Sequence, residues 1–166
     1  MELNRILSGL KKMVDMLTAW GALIGGIFTG IMTVVVGYAV VGRYILNRPI
    51  GWSEEIAMYL MVWAVFLGAA YTLKEDAHIG VDVLVERLRP GLRKDFRIFH
   101  YSVGIVFFSI LLYKGIQMVA LSIKMNALSM AIDFPLYIAH LSVPVGSVIL
   151  ILQCLNKLLG LCDGSS

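Results

Sequence analysis

The chain has 166 residues, 59% of them hydrophobic and 15% charged, with a mean hydropathy of +0.84. A soluble domain of this size has no use for so much apolar surface, so lipid is the expected solvent for most of one membrane domain covering residues 1–166. The net charge of +3 does not point to nucleic acid, because the basic residues flank apolar runs and no aromatic–basic face accompanies them.

In chain order, residues 1–15 form a basic amphipathic lead. Leu3, Ile6, Leu7, Leu10, Met13, Val14 and Leu17 keep helical spacing while Arg5, Lys11 and Lys12 supply charge, the pattern of a segment lying in the headgroup zone. The apolar run behind it is far longer than a signal-peptide core and has no small-x-small cleavage site, so the first helix is expected to remain in the mature protein. No charge occurs from Met16 to Gly42, long enough to cross a bilayer with tilt, and this sets the first span at about 16–42. Gly21/Gly25 and Gly26/Gly30 have GxxxG spacing, extended by Thr33 and Gly37, and such small residues let helix backbones approach closely. Close packing follows from this pattern; the identity of the packing helix does not.

The second span, about 53–73, is apolar in its middle and crowded at both ends. Arg43, Arg48, Glu54 and Glu55 precede it, and Lys74, Glu75, Asp76, His78 and Asp82 follow. Ser53 fits an N-cap, the two glutamates suit the positive end of a helix dipole, and Trp52 suits a membrane interface. Adjacent glutamates point about 100° apart on a helix, so one can meet Arg43 or Arg48 while the other faces a partner. A structural charge network, a subunit contact, and ion or substrate handling all remain open for this pair. Residues 79–88 have the pattern of a short amphipathic helix, with Val81, Leu84, Val85 and Leu88 on one face, ended by Arg89-Pro90-Gly91. His78 has no second histidine at ligand spacing.

The third span, about 97–123, contains Lys114, which can snorkel toward the interface. A more polar passage from Met125 to Asp133 leads to the fourth span, about 134–156. There Pro135 suits a helix start, Pro144 predicts a kink, and His140, lacking an acid in its own span, is expected to make a structural hydrogen bond. Cys154 and Cys162, eight residues apart, fit neither a CxxC redox pair nor a metal knuckle, so no metal and no cofactor are expected. The fold class is therefore an all-α integral membrane protein: four transmembrane helices plus short amphipathic interfacial helices.

Lysine and arginine are distributed unevenly about these spans. Three lie in the N-terminal lead, six between spans two and three and one near the C-terminus, against two in the first loop and two, Lys114 and Lys124, toward the third. The positive-inside rule then places both termini and the 74–97 loop in the cytoplasm.

Three stretches carry a family resemblance: RYILNRPIGWSEEIAMYLMVW, then FLGAAYTLKEDAHIGVD, then ALSMAIDFPLYIAHLSVPVG. Together with four spans in this length, they resemble the small DctQ-type membrane subunit of tripartite ATP-independent periplasmic (TRAP) transporters, over about Arg43 to Gly146. The resemblance implies a location in the bacterial inner membrane and a large multi-span partner that carries the sodium and substrate sites. It also implies a periplasmic solute-binding protein that delivers an organic acid, such as a C4-dicarboxylate or a sialic acid. The small subunit would enlarge the static scaffold against which an elevator-like domain moves and help dock the binding protein. This chain shows neither paired broken helices nor an inverted repeat of its own, so it is not expected to bind sodium or substrate unaided. Partner contacts are expected at Arg43, Arg48, Trp52, Glu54, Glu55 and Trp63 and, at the opposite rim, at His78 and Asp82. Phospholipid is expected in grooves between the subunits, because Arg and Lys flank the spans.

Two other functions fit these residues less well. A self-sufficient homodimeric multidrug-type exporter would be expected to carry a membrane-embedded carboxylate, and the first span has none. A membrane enzyme would need a nucleophile–base pair, HExxH or CxxC, and none is present.

Overall fold

The computed structural model describes residues 2–48, 50–75 and 90–162. The described chain is built of helices: α1 (Glu2–Tyr44), α2 (Gly51–Lys74), α3 (Pro90–Lys124), α4 (Leu136–His140) and α5 (Ser142–Cys162). α1, α2, α3 and the α4–α5 unit are each long and apolar enough to cross a membrane. This is an all-α, multi-pass membrane protein. The end of the molecule at the start of α2 is called the upper rim below, and the end at Lys74 the lower rim.

The amphipathic lead does not lie apart as an interfacial helix. It runs without a break into the first span, so α1 is 43 residues and about 65 Å long, more than twice a bilayer core. Nothing in 1–15 stops a helix, since neither proline nor a run of turn residues separates it from the apolar stretch. The amphipathic helix expected over 79–88 lies outside the described residues. Pro90, expected with Gly91 to break that helix, stands at the start of α3, where a missing N–H costs nothing.

The fourth span is broken into α4 and α5 around Leu141. Pro144 cannot donate to the carbonyl of His140 one turn earlier, and the ladder resumes with Val145 N–H donating to Leu141 at 3.1 Å. Ser142 hydroxyl donates to the Ala139 carbonyl at 2.6 Å and so satisfies one group that the break leaves over. His140 reaches Ser122 of α3, Nδ1 to Oγ at 2.7 Å, which ties the broken segment to the third span.

The helices form an open row. α1 packs along α2, α2 along α5, and α5 along α3, while α1 and α3 do not meet. Glycines set the closest approaches. A Cβ at Gly25 would meet Ala64 and Leu67 of α2, one at Gly146 would fall 2.5 Å from the Phe66 ring, and one at Gly115 would fall 3.0 Å from Val143 and Pro144. Of the GxxxG positions, Gly21 and Gly25 face α2, whereas Gly26, Gly30 and Gly37 face open space. The core lies where α2, α3 and α5 converge, at Ala70, Leu73, Tyr101, Leu150 and Cys154.

A polar seam crosses toward the lower rim between α1 and α5. Gln153 Nε2 donates to Thr18 Oγ1 at 2.6 Å, Thr18 in turn donates to the Val14 carbonyl, and Asn156 reaches Asp15 at 3.4 Å. Thr18 and Gln153 are fully buried. In lipid such cross-helix bonds hold two helices that apolar contact alone would not, at about 0.6 kcal/mol each and rarely above 1.7 kcal/mol.

Candidate partner-binding rim

The upper rim is assembled from the end of α1, the start of α2 and the loop between α3 and α4. α2 begins at Gly51 with Ile50 as N-cap and no side-chain cap. Ser53, expected as the N-cap, lies inside the first turn, buried, and its hydroxyl donates back to the Ile50 carbonyl at 2.6 Å. The helix thus starts two residues before the serine, at Gly51.

The two glutamates separate here. Glu54 Oε1 accepts from Arg43 Nη2 at 2.5 Å, closing α1 onto α2 across the 45–50 turn. More than half of each side chain stays exposed, so this pair joins the helix ends without being removed from solvent or headgroups. Glu55 turns to the other side and binds the 125–135 loop. It accepts hydrogen bonds from the Ser129 hydroxyl and from the backbone N–H groups of Met130 and Ala131, both at 3.1 Å.

That loop is narrow and self-braced. Leu128 and Pro135 form an isolated antiparallel bridge, Ser129 N–H donates to the Phe134 carbonyl, and Leu136 N–H donates to Ala127. Asn126 and Asp133 take positive φ at its two bends, a conformation that short polar side chains tolerate. Glu55 thus plugs the turn by taking up the Met130 and Ala131 N–H groups, leaving the Met130 side chain fully exposed at the tip.

The remaining expected residues are distributed as follows. Arg48 is exposed and makes no ion pair among the described residues; its backbone N–H donates to Gly42 at 3.0 Å. Trp52 is exposed and lies against Tyr38 of α1, ring centroids 6.3 Å apart. Trp63 is half-buried below the rim and its indole N–H donates to the Ile138 carbonyl at 3.3 Å, bridging α2 to α4. His78 and Asp82 lie outside the described residues. The structure therefore brings Arg43, Arg48, Trp52, Glu54 and Glu55 to one rim and sets Trp63 deeper.

Sequence reasoning missed the Ser129 loop as the receptor for Glu55, and it missed the Thr18–Gln153 seam. The separation of 74 residues between Glu55 and Ser129 left no local signal. Gln153, a polar residue inside an uncharged span, was a usable signal for the second. Beside the salt bridge lies a cavity of about 220 Å³, lined by Val36, Ala39, Val40, Tyr44, Ser53 and the ion pair itself. Among the described residues no general acid–base or nucleophile arrangement of a catalytic kind is assembled at this rim. The groups it presents are two cations, one exposed carboxylate, an aromatic pair and an apolar loop tip.

Comparison with known proteins fits that character. The chain is 28% identical over 109 residues to a C4-dicarboxylate TRAP transporter small permease protein of Rhodobacter capsulatus, covering 66% of this chain and 48% of that protein. It is 36% identical over 88 residues to the corresponding protein of Vibrio cholerae, covering 53% and 38%. The chain thus spans about half or less of the length of these curated relatives. It is also 24% identical over 112 residues to an isethionate TRAP transporter permease protein, DctMQ, of Oleidesulfovibrio alaskensis, of which the match covers 17%. Residues 32–164 match the family model described as the DctQ component of tripartite ATP-independent periplasmic transporters, so the chain belongs to that family and is a transport component, not an enzyme.

Proposed function

We propose that the chain is the accessory small permease subunit of a sodium-driven TRAP transporter in a bacterial inner membrane. It stands beside a large multi-span subunit, and a periplasmic binding protein delivers the substrate, an organic acid such as a C4-dicarboxylate or a sialic acid. The observation that carries this reading is the open row of helices. α1 and α3 never meet, and their outer faces carry exposed Trp20, Ile24, Ile27, Val34, Val106, Ile110 and Ile116 over the depth of the membrane. A self-contained transporter would close around a site; this layer offers wide flanks instead, suited to extending another protein's scaffold. The match to one-sixth of a much longer permease supports the same division of labour.

By the positive-inside rule the lower rim and both termini face the cytoplasm and the upper rim the periplasm. Arg43, Arg48, Trp52, Glu54 and the Met130 tip are then the parts exposed to the binding protein or to the large subunit's outer loops. Glu55 acts indirectly, by fixing the tip. Trp63 has spent its N–H within the chain, so its contact is through the ring. A wholly apolar cleft of about 430 Å³ between α3 and α5, including Ile116, Val119, Pro144 and Val148, suits an acyl chain of an interfacial phospholipid.

The test is affinity purification from the native host in mild detergent, followed by reconstitution. Recovery of a stoichiometric, much larger membrane protein, with organic-acid uptake under a sodium gradient only when both are present, is the expected result. A clean homo-oligomer that transports alone in liposomes would overturn the proposal.

A further inference from the structure

The expectation that Lys114 snorkels to the interface meets an obstacle of distance, since along the helices it lies far from both rims. Along α3 it lies ten residues before Lys124 and seventeen after Arg97, about 15 Å and about 26 Å of helix. Its neighbour Gly115 packs on Val143 and Pro144, and Gly146, less than one turn further along α5, packs on Phe66. Phe66 in turn stands twelve residues from Glu54 and eight from Lys74, about 18 Å and about 12 Å. Both routes put Lys114 near the middle of a core about 30 Å thick, farther from either rim than a four-methylene stem extends.

The side chain is exposed, with Nζ 5.6 Å from the centre of the exposed Tyr113 ring. Gln117, one turn on, is exposed as well. Tyr113, Lys114 and Gln117 share an arc that points away from Gly104, Gly115 and Ser122, the residues of α3 that face α5 and its approach. α3 touches only α4 and α5 among the described helices, so no described helix covers that arc. Hydrocarbon offers an ammonium and an amide no acceptors, and polar groups at this depth face protein or a polar cavity.

Charge complementarity selects what covers it. A second copy of this chain has no Asp or Glu in residues 16–53, 56–74, 96–132 or 134–162, so it can bring no carboxylate to mid-depth and would set lysine against lysine. Resting on the small-subunit reading above, we propose that the Lys114–Gln117 face of α3 is a membrane-embedded docking surface for a helix of the large permease subunit. That helix presents an aspartate or glutamate carboxylate to the Lys114 ammonium. The Gln117 amide supplies a second, neutral hydrogen bond, and the pair fixes the register of the two subunits.

Co-purification of the large subunit with wild type, Lys114→Arg, Lys114→Met and Lys114→Glu, together with the melting temperature of each small subunit purified alone, tests this. Lys114→Arg retains the large subunit, and Lys114→Met and Lys114→Glu lose it at least about thirtyfold, the low end for removing one partner of a desolvated charge pair. Lys114→Met alone in detergent melts close to wild type, since the contact it loses among the described residues is the one with the exposed Tyr113 ring. A photo-crosslinker at Gln117 captures the large subunit. Wild-type capture of a large subunit with all four proteins assembling equally would overturn the docking face while leaving the subunit reading intact; crosslinking at 117 to a second copy, or to lipid only, would overturn it too. Absence of any large membrane protein with wild type would remove the subunit reading itself.

Discussion

Two adjacent carboxylates at one membrane rim do different work. Glu54 closes α1 onto α2 through Arg43, in an exposed pair of the kind worth about 0–1 kcal/mol to stability. Reversing it, as Arg43→Glu with Glu54→Arg, should therefore leave the melting temperature of the lone subunit nearly unchanged. A loss of uptake in that double variant, measured in reconstituted complex, would report a partner that reads the polarity of the pair. Glu55 instead gathers a hydroxyl and two backbone N–H groups from one loop. Glu55→Gln keeps the shape but replaces charge-assisted bonds with weaker ones and sets an amide donor against donors. Hydrogen exchange at Met130 and Ala131 should then accelerate while the α2 and α5 cores stay protected. Unchanged exchange at those two amides would mean the loop is braced by its own backbone bridge.

At the scale of the helix, approach distances are set by single glycines. Gly146→Ala puts a carbon where the Phe66 ring lies, and forcing α2 and α5 apart should cost about 1–3 kcal/mol, read as a fall in melting temperature of the purified subunit. Gly30→Ala meets nothing within 4 Å and should be neutral or stabilising by up to about 1 kcal/mol through helix propensity. Equal effects of the two would show that the packing described between α2 and α5 is not what holds them. Pro144 acts differently: by breaking the fourth span it turns His140 to Ser122 and opens the cleft between α3 and α5.

The described helices form a row rather than a bundle, and the outer ones have apolar faces that no other described helix covers. Stability of such a layer depends on what covers it. The melting temperature should rise on association with the large subunit and depend on that subunit's concentration, by mass action. A melting temperature insensitive to the partner would contradict a shared scaffold.

Span number, helical class and the crowding of charge at the ends of the second span were legible in the sequence, because each follows from local composition: uncharged runs of bilayer length, with polar groups confined to their ends. So was the break induced by Pro144, since a missing N–H acts within one turn. Which glycine stripe packs and which stays open could not be read, because both have the same spacing and only the placement of α2 distinguishes them. The same holds for Glu55 and Ser129, and for Thr18 and Gln153. These depend on which helices are neighbours and in what register, and in lipid no water-driven burial pattern along a single helix records that choice.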